Sequence, residues 1–382
     1  MKVLVVGGGA QGSAAAFDLV RNPVVERVTM ADLVAQSPPD LLRPHVGPRL
    51  ELKRLDARDR VAVRDAMSGM DAVLCALPYF FNFDIAELAV ECGAHYCDLG
   101  GNTEIVERQR TLHDQAVRKG LSVIPDCGLA PGMVNILAQA GIDALDRVDS
   151  VRMYVGGLPQ RPRPPLNYQI VYSMQGLLDY YTTPSVVLEG GELVTKEALS
   201  EVEEVRFPEP VGALEAFHTA GGISTMPYRY RGRIPRMSYK TLRYPGHANI
   251  IRAIRELGLF SREPLRVDGC DVVPRDFFIE VAAPRLQGDD TPDLVALRVE
   301  VSGEKDGRSR TVRWDVLDRY DAAHGVTAMM RTTGYSLAIT TLMQMDRRIS
   351  GSGVHTPDEA VPVGPYVSEL AARGIRIDRT DL

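Results

Sequence analysis

The chain has 382 residues, 45% apolar and 25% charged, and a formal net charge of −6 at pH 7. That length exceeds a usual single domain and predicts two. The acidic balance excludes the concentrated basic face that a nucleic-acid partner requires, despite the local run "YRYRGRIPR".

Strand and helix patterns alternate from the start. "KVLVV" reads as a buried strand, "QGSAAAFDLV" as an Ala-rich helix, and "RVTMAD" and "LELKRLD" as the next strands. Then "RDRVAVRDAMSG" reads as helix, "DAVLCALP" as strand, "FNFDIAELAVECG" as helix and "HYCDLGG" as a short strand. "TEIVERQRTLHDQAVRKG" reads as helix and "LSVIPD" as strand. Alternating βα units of this length predict a parallel sheet with helices on both faces. Past residue 150 the pattern changes. "VDSVRMYVGG" reads as strand, "LPQRPRPPLNY" as a Pro-rich loop, and "DLVALRVEVSGEKDGRSRTVRWDVLDRY" as two long strands turning at "KDG". "GVTAMMRTTGYSLAITTLMQM" is a long apolar helix expected to return to the first domain, and the tail "RIDRTDL" is expected to fray. The fold class predicted is α/β: an N-terminal Rossmann doubly wound parallel sheet and a second α+β domain with a mixed or antiparallel sheet.

Five cysteines (Cys75, Cys92, Cys97, Cys127 and Cys270) show neither CxxC nor zinc-site spacing, so free thiols and no metal site are expected. The stretch before the first glycines is too short for the apolar core of a signal peptide. No apolar run reaches the length of a membrane span. A cytoplasmic protein without a membrane partner is expected.

"VVGGGAQGSAA" places Gly7, Gly9 and Gly12 in GxGxxG spacing after a strand and before a helix. This is the context in which backbone N–H groups meet a pyrophosphate. Ala10 and Gln11 belong to the same turn. Asp32 ends the second strand, where a carboxylate accepts from a ribose hydroxyl. A 2′-phosphate beside it would meet repulsion on the order of 1–4 kcal/mol. "ADLV" carries no arginine just after Asp32 to reverse this, so NAD is the expected cofactor. Asp56 and Ala57 follow the third strand; Asp56 reads equally as an adenine contact or a helix N-cap. Ala76, Leu77, Pro78 and Tyr79 follow the fourth strand and should border the nicotinamide side. Tyr79 is either a proton donor or a packing aromatic. Asp98 is either a cleft acid or a cap for the helix near Thr103. In the second domain, "EAFHTAGGISTM" and "MSYKTLRYPGH" gather polar groups around small residues. Strand alternation sets Lys240 on one face and Thr241 and Arg243 around it on the other, so Lys240 and Arg243 cannot both face a substrate. Lys240 is the candidate base, Arg243 the carboxylate ligand, and His218 and His247 possible proton carriers.

Together "VVGGGAQG", "YCDLGGN", "PDCGLAPGMVNIL", "YVGGLPQRPRPPLNY", "EAFHTAGGISTM", "YKTLRYPGH" and "GVHTPDEAVPVGPYV" resemble the saccharopine reductase superfamily, most closely its bacterial lysine 6-dehydrogenases. The resemblance runs over nearly the whole chain. It implies a Rossmann domain at 1–125, completed by a returning helix and tail at 326–382, and a substrate and dimerisation domain at 126–325. It also implies a homodimer or larger homo-oligomer. Saccharopine reductases proper usually carry an acidic residue in the "GLxPG" loop, where this chain has Ala130, and a cysteine where it has Val155. Both differences remove polar groups from the substrate side. The implied reaction is NAD-dependent oxidation of the ε-amine of L-lysine. Tyr79 and Lys240 would handle protons, Asp98 or Asp126 would sit near the amine, and Arg243 with His218 and Thr241 would hold the α-carboxylate. Asp126 and Cys127 are expected at the domain hinge.

Overall fold

The apolar run at the start becomes the middle of a seven-stranded parallel sheet in the order β17-β6-β5-β4-β1-β2-β3. The computed structural model describes residues 1–382 except 35–37, 172, 288–291 and 350. Its strands are β1 (Lys2–Val6), β2 (Arg27–Asp32), β3 (Leu50–Arg54), β4 (Ala72–Cys75), β5 (His95–Asp98) and β6 (Ser122–Ile124), with β17 (Gly353–Val354) added from the far end of the chain. Between them run α1 (Ala10–Arg21), α2 (Arg60–Met67), α3 (Asn82–Cys92), α4 (Thr103–Arg110) and α5 (His113–Lys119). Val3, Leu4, Val5 and Val6 are all buried, as expected of a strand covered by helices on both faces. The stretch expected as a single helix at 103–120 breaks into α4 and α5. The hydroxyl of Thr111 donates to the Arg108 carbonyl at 2.6 Å and competes with the helical ladder at that point.

The second unit is a nine-stranded mixed sheet in the order β10-β11-β12-β7-β15-β16-β18, with β8 and β9 attached to β12. It comprises β7 (Arg147–Pro159), β8 (Ser185–Glu189), β9 (Glu192–Lys196), β10 (Glu203–Arg206), β11 (Ala213–His218), β12 (Arg236–Arg243), β15 (Asp293–Lys305), β16 (Arg308–Arg319) and β18 (Ile377–Asp381). A separate pair, β13 (Leu265–Val267) and β14 (Cys270–Val272), stands apart. The helices of this part are α6 (Met133–Asp143), α7 (Met174–Thr182), α8 (Met226–Tyr230), α9 (His247–Glu256) and α10 (Pro274–Leu286). The hairpin of β15 and β16 turns at Asp306 and Gly307, with φ of +52° and +70°, the left-handed pair of a type I′ turn. The tail does not fray. It forms β18, antiparallel to β16 from Val312–Asp381 to Val316–Ile377.

The chain closes with α11 (Ala328–Met345), α12 (Pro357–Ala360) and α13 (Val363–Ala372). α11 is buried on all sides, which only a helix between two layers tolerates. It packs on α1 through Gly334, and its Gln344 donates to the carbonyls of Tyr96 and Ser122 at 3.0 Å each. A Cβ at Gly334 would stand 2.6 Å from the Cβ of Ala14 and 2.7 Å from the Gln11 carbonyl oxygen. Gly334→Val is therefore expected to lower stability by about 1–3 kcal/mol through overpacking. The readout is the urea midpoint at unchanged m value, and an unchanged midpoint would refute this contact between α1 and α11.

Candidate active site

The turn after β1 is built for an anion. Gly7 has φ +105°, and a Cβ there would lie 2.8 Å from the Ala76 backbone; one on Gly12 would lie 1.9 Å from the Gly7 carbonyl oxygen. Gly9 faces open space, and among the described residues no side chain caps α1, so the first N–H groups of the helix stay available. Gly9, Ala10 and Gln11 line a cavity of about 1100 Å³, and Gln11 Oε1 is buried there without a hydrogen-bond partner among the described residues. An open glycine cradle, free helix N–H groups and an orphaned amide oxygen fit a dinucleotide. The Asp32 carboxylate accepts from the Gly8 N–H at 2.7 Å and the Val34 N–H at 2.9 Å, and each oxygen keeps a lone pair for a ribose hydroxyl. Asp56 is not the helix cap. Asp59 caps α2 by accepting from the N–H groups of Val61 and Ala62, while Asp56 pairs with Arg58 at the surface and Ala57 packs against the core.

Ala76, Leu77, Pro78 and Tyr79 enter the same cavity from the carboxyl end of β4, and Ala130 and Val155 also line it. From β12 come Tyr239, Thr241 and Arg243. Alternation sends Lys240 the other way. Its Nζ donates to the Glu201 carbonyl at 2.6 Å and pairs with Glu203 at 3.0 Å. His218, opposite Lys240 in the β11–β12 register, shares that face and meets Glu201 at 3.1 Å. Lys240 and His218 therefore stand outside the cavity, which corrects their expected place beside the substrate; Arg243 and Thr241 are inside it.

Arg243, only 2% exposed, is held by a defined chain. Its Nε donates to the Tyr181 hydroxyl at 3.2 Å, its Nη1 donates to the Leu242 carbonyl at 2.8 Å, and its plane lies 4.7 Å from the centre of the Tyr168 ring. The Leu166 carbonyl can only accept, so His247 Nδ1, 3.0 Å away, carries a proton. Burial and the neighbouring guanidinium push the pKa of His247 down to about 3, so its Nε2 is an acceptor for Tyr181, 2.9 Å away. His247 is thus a neutral link, not a proton carrier.

Asp98 is neither a cleft acid nor a cap. It is fully buried, accepting from the N–H groups of Gly100 and Asp126 and from Gln109 Nε2 at 2.7, 3.1 and 2.6 Å, while Asn102 caps α4. Asp126 (φ +64°) lies beneath Gly100 and accepts from the hydroxyl of Ser224 (φ +55°), joining the loops of the two units. Burial raises its pKa to about 7. Cys127 is buried, its thiol donating to the Ile124 carbonyl at 3.0 Å, and burial pushes its pKa well up. That is an inert thiol at the joint.

Tyr180 went unread in the sequence. Its ring lies against Gly221 and its hydroxyl near Gly101, in the cavity wall close to Tyr79 and above Asp126. The available signal was the apolar spacing Met174, Leu177, Leu178, Tyr181, which buries one face of α7 and leaves Asp179 and Tyr180 at its edge. Asp179 accepts from Arg262 and Arg275 at 2.7 Å each, and all three line the cavity.

Residues 3–124 match the saccharopine dehydrogenase NADP binding domain and residues 128–375 the saccharopine dehydrogenase C-terminal domain. The NADP(+), L-glutamate-forming saccharopine dehydrogenase of Schizosaccharomyces pombe is 22% identical over 85% of this chain and 87% of its own. That of Saccharomyces cerevisiae is 22% identical over 96% of each chain. The apo structure of the L-Glu-forming Saccharomyces cerevisiae enzyme shares the fold with a TM-score of 0.82 at 20% identity, covering 100% of this chain and 99% of that one. Homospermidine synthase from Legionella pneumophila in complex with NAD gives 0.70 at 12% identity, covering 99% and 91%.

Because the folded state raises the pKa of Asp126 from 3.8 to about 7, its share of stability is full at low pH and is lost as pH rises through about 7. Asp126→Asn removes this ionisation and leaves Ser224 a partner. From about pH 5 to about pH 8 the wild-type melting temperature should fall more than that of the variant. Parallel profiles would mean that Asp126 titrates as an ordinary carboxylate.

Proposed function

This chain belongs to the saccharopine dehydrogenase family of oxidoreductases, and on that premise we propose that it is an NAD-dependent amino-acid dehydrogenase acting on the ε-amine of L-lysine. The observation that carries this reading is one cavity that holds the buried Arg243 together with apolar Ala130 and Val155. Arg275, the other buried guanidinium lining it, pairs with Asp179 at 2.7 Å, and the Arg243 guanidinium suits one α-carboxylate. The apolar pair suits an aliphatic chain at the two positions where the saccharopine-acting pattern is polar.

Oxidation at the ε-carbon gives an imine, which takes up water and releases ammonia. The 6-semialdehyde so formed closes on its own α-amine, with loss of water, to a piperideine carboxylate. When bound, the nicotinamide supplies the hydride acceptor. The turn at Gly7, Gly9 and Gly12, with Asp32, would hold the dinucleotide, and Ala76, Leu77 and Pro78 would border its reactive end. NAD is preferred in this reading because the Asp32 carboxylate disfavours a second charge at the ribose and Leu33 and Val34 follow it. The amine must lose its proton before the carbon can yield hydride. Tyr79 and Tyr180 present phenols to the cavity for that proton, and Asp126 lies beneath them as its acceptor. Lys240, on the outer face, has no part in it. Arg243 and Thr241, the latter fixed by the Thr219 hydroxyl at 2.7 Å, orient the carboxylate end.

A second reading has its own observation: Arg262 and Arg275 also line the cavity. They suit a larger substrate with further carboxylates, as in an imine reductase acting on saccharopine or a carboxylated polyamine. The two are separated by following reduced-nicotinamide absorbance at mildly alkaline pH with NAD or NADP and lysine, ornithine, saccharopine or diamines. Turnover with lysine and NAD supports the first reading; turnover with saccharopine alone replaces it; binding of NAD without turnover of any amine rejects both. In the active enzyme, Arg243→Ala should raise the KM for the amino acid about ten- to hundredfold, with kcat changed less than about threefold. A selective loss of kcat would remove Arg243 from the carboxylate role.

A further inference from the structure

A second cavity, of about 260 Å³, opens between the Pro-rich segment after β7 and helices α9 and α10. Its body is apolar, formed by Ile250, Ile254, Phe278 and Ala282, and its rim carries Arg161, Arg163 and Arg285. Among the described residues none of these three guanidiniums has an ion-pair partner; Arg285 donates only to the Val281 carbonyl. An apolar slot with three arginines at its mouth is complementary to an amphipathic anion.

The inner wall gives the cavity a consequence. It includes Leu166 and Tyr168, the two residues of this segment that hold the Arg243 network. The Tyr168 ring carries the guanidinium, and its hydroxyl, shielded from solvent, has no hydrogen-bond partner among the described residues. The Leu166 carbonyl ends the chain Arg243–Tyr181–His247. Gln169, next to Tyr168, lines both cavities. A ligand that shifts this segment moves both the ring and the carbonyl that position Arg243.

We propose that this cavity is a regulatory site for a small aromatic monocarboxylate, and that its occupancy alters how Arg243 binds the carboxylate of the substrate. The effect on substrate rests on the role proposed for Arg243 above; binding itself does not. The test is calorimetric titration of the full chain with indole-3-acetate, with indole-3-ethanol as the uncharged control. The variants are Arg163→Ala combined with Arg285→Ala, and Ala282→Trp to fill the slot, each checked for wild-type melting. Indole-3-acetate should bind saturably, at least about tenfold more tightly than the alcohol, and lose at least about tenfold in affinity in the double variant. Ala282→Trp should abolish binding. With saturating ligand the KM for lysine should change while kcat holds. By reciprocity, Arg243→Ala should alter the Kd for indole-3-acetate by about threefold or more, a readout that needs no turnover. Absence of saturable binding, equal binding of the alcohol, or displacement of indole-3-acetate by lysine would each overturn the proposal. So would a homodimer dissociated by Ile254→Glu, which would make this face a contact between copies. Ligand binding of the expected pattern in a protein that does not turn over lysine would instead reject the function proposed above and leave the site standing.

Discussion

A guanidinium withdrawn almost entirely from water must be solvated by the protein, or its burial costs several kcal/mol. Arg243 is that case, and much of the second unit is arranged around it. Its own strand supplies the Leu242 carbonyl, α7 supplies the Tyr181 hydroxyl, and the Pro-rich segment supplies the Tyr168 face. Tyr181 then needs an acceptor, which His247 provides only because it is neutral, and His247 in turn spends its one N–H on Leu166. Four elements from two separate stretches of the chain are thus bound to one charge. The arrangement stiffens the end of the cavity at which a carboxylate would be read, and rigid donors of this kind lose little entropy on binding.

The opposite wall depends on two buried carboxyls with different surroundings. Asp98 accepts three hydrogen bonds and ties the loop after β5 to the loop after β6. Asp126 receives the Ser224 hydroxyl, and its other oxygen has no partner at hydrogen-bonding geometry among the described residues. Burial raises the pKa of both, but the half-satisfied one lies where the two units meet and reaches about 7. Asp126 and Ser224 both hold left-handed backbone at this contact, a conformation retained only where the surroundings over-determine it. The short stretch "PDCGLAPG" is therefore a joint: its acid contacts the second unit, its thiol is inert packing, and its alanine faces the cavity.

Much of this was legible in the sequence, and the reason is local. Continuous apolar strands, the glycine spacing after β1 and the "KDG" turn each report backbone requirements met within a few residues. Those elements formed where their residues predicted. Strand alternation was equally informative. It required Lys240 and Arg243 to part, and they do. The misreadings that bear most on the site concern partners further along the chain. Asp98 looked like a cap because its neighbours suggested a helix start, yet its hydrogen bonds reach Gln109 and Asp126. The tail "RIDRTDL" lacks an apolar face, so nothing in it announced that the free edge of β16 would take it up as a strand.

By itself, then, the sequence determined the doubly wound first unit, the mixed sheet of the second, the dinucleotide cradle and the family. Each is written in periodicity, glycine geometry or an ordered set of motifs, and none needs a distant contact to be read. Only the tertiary structure decided which polar residues share the cavity. It put Arg243, Thr241, Tyr79 and the unread Tyr180 inside, sent Lys240 and His218 to the far face, and buried Asp98 under the floor. Whether a side chain meets substrate depends on the face it shows and on what packs behind it. That is settled by pairings such as β11 with β12 and by contacts such as Asp126 with Ser224, across separations that no local pattern encodes.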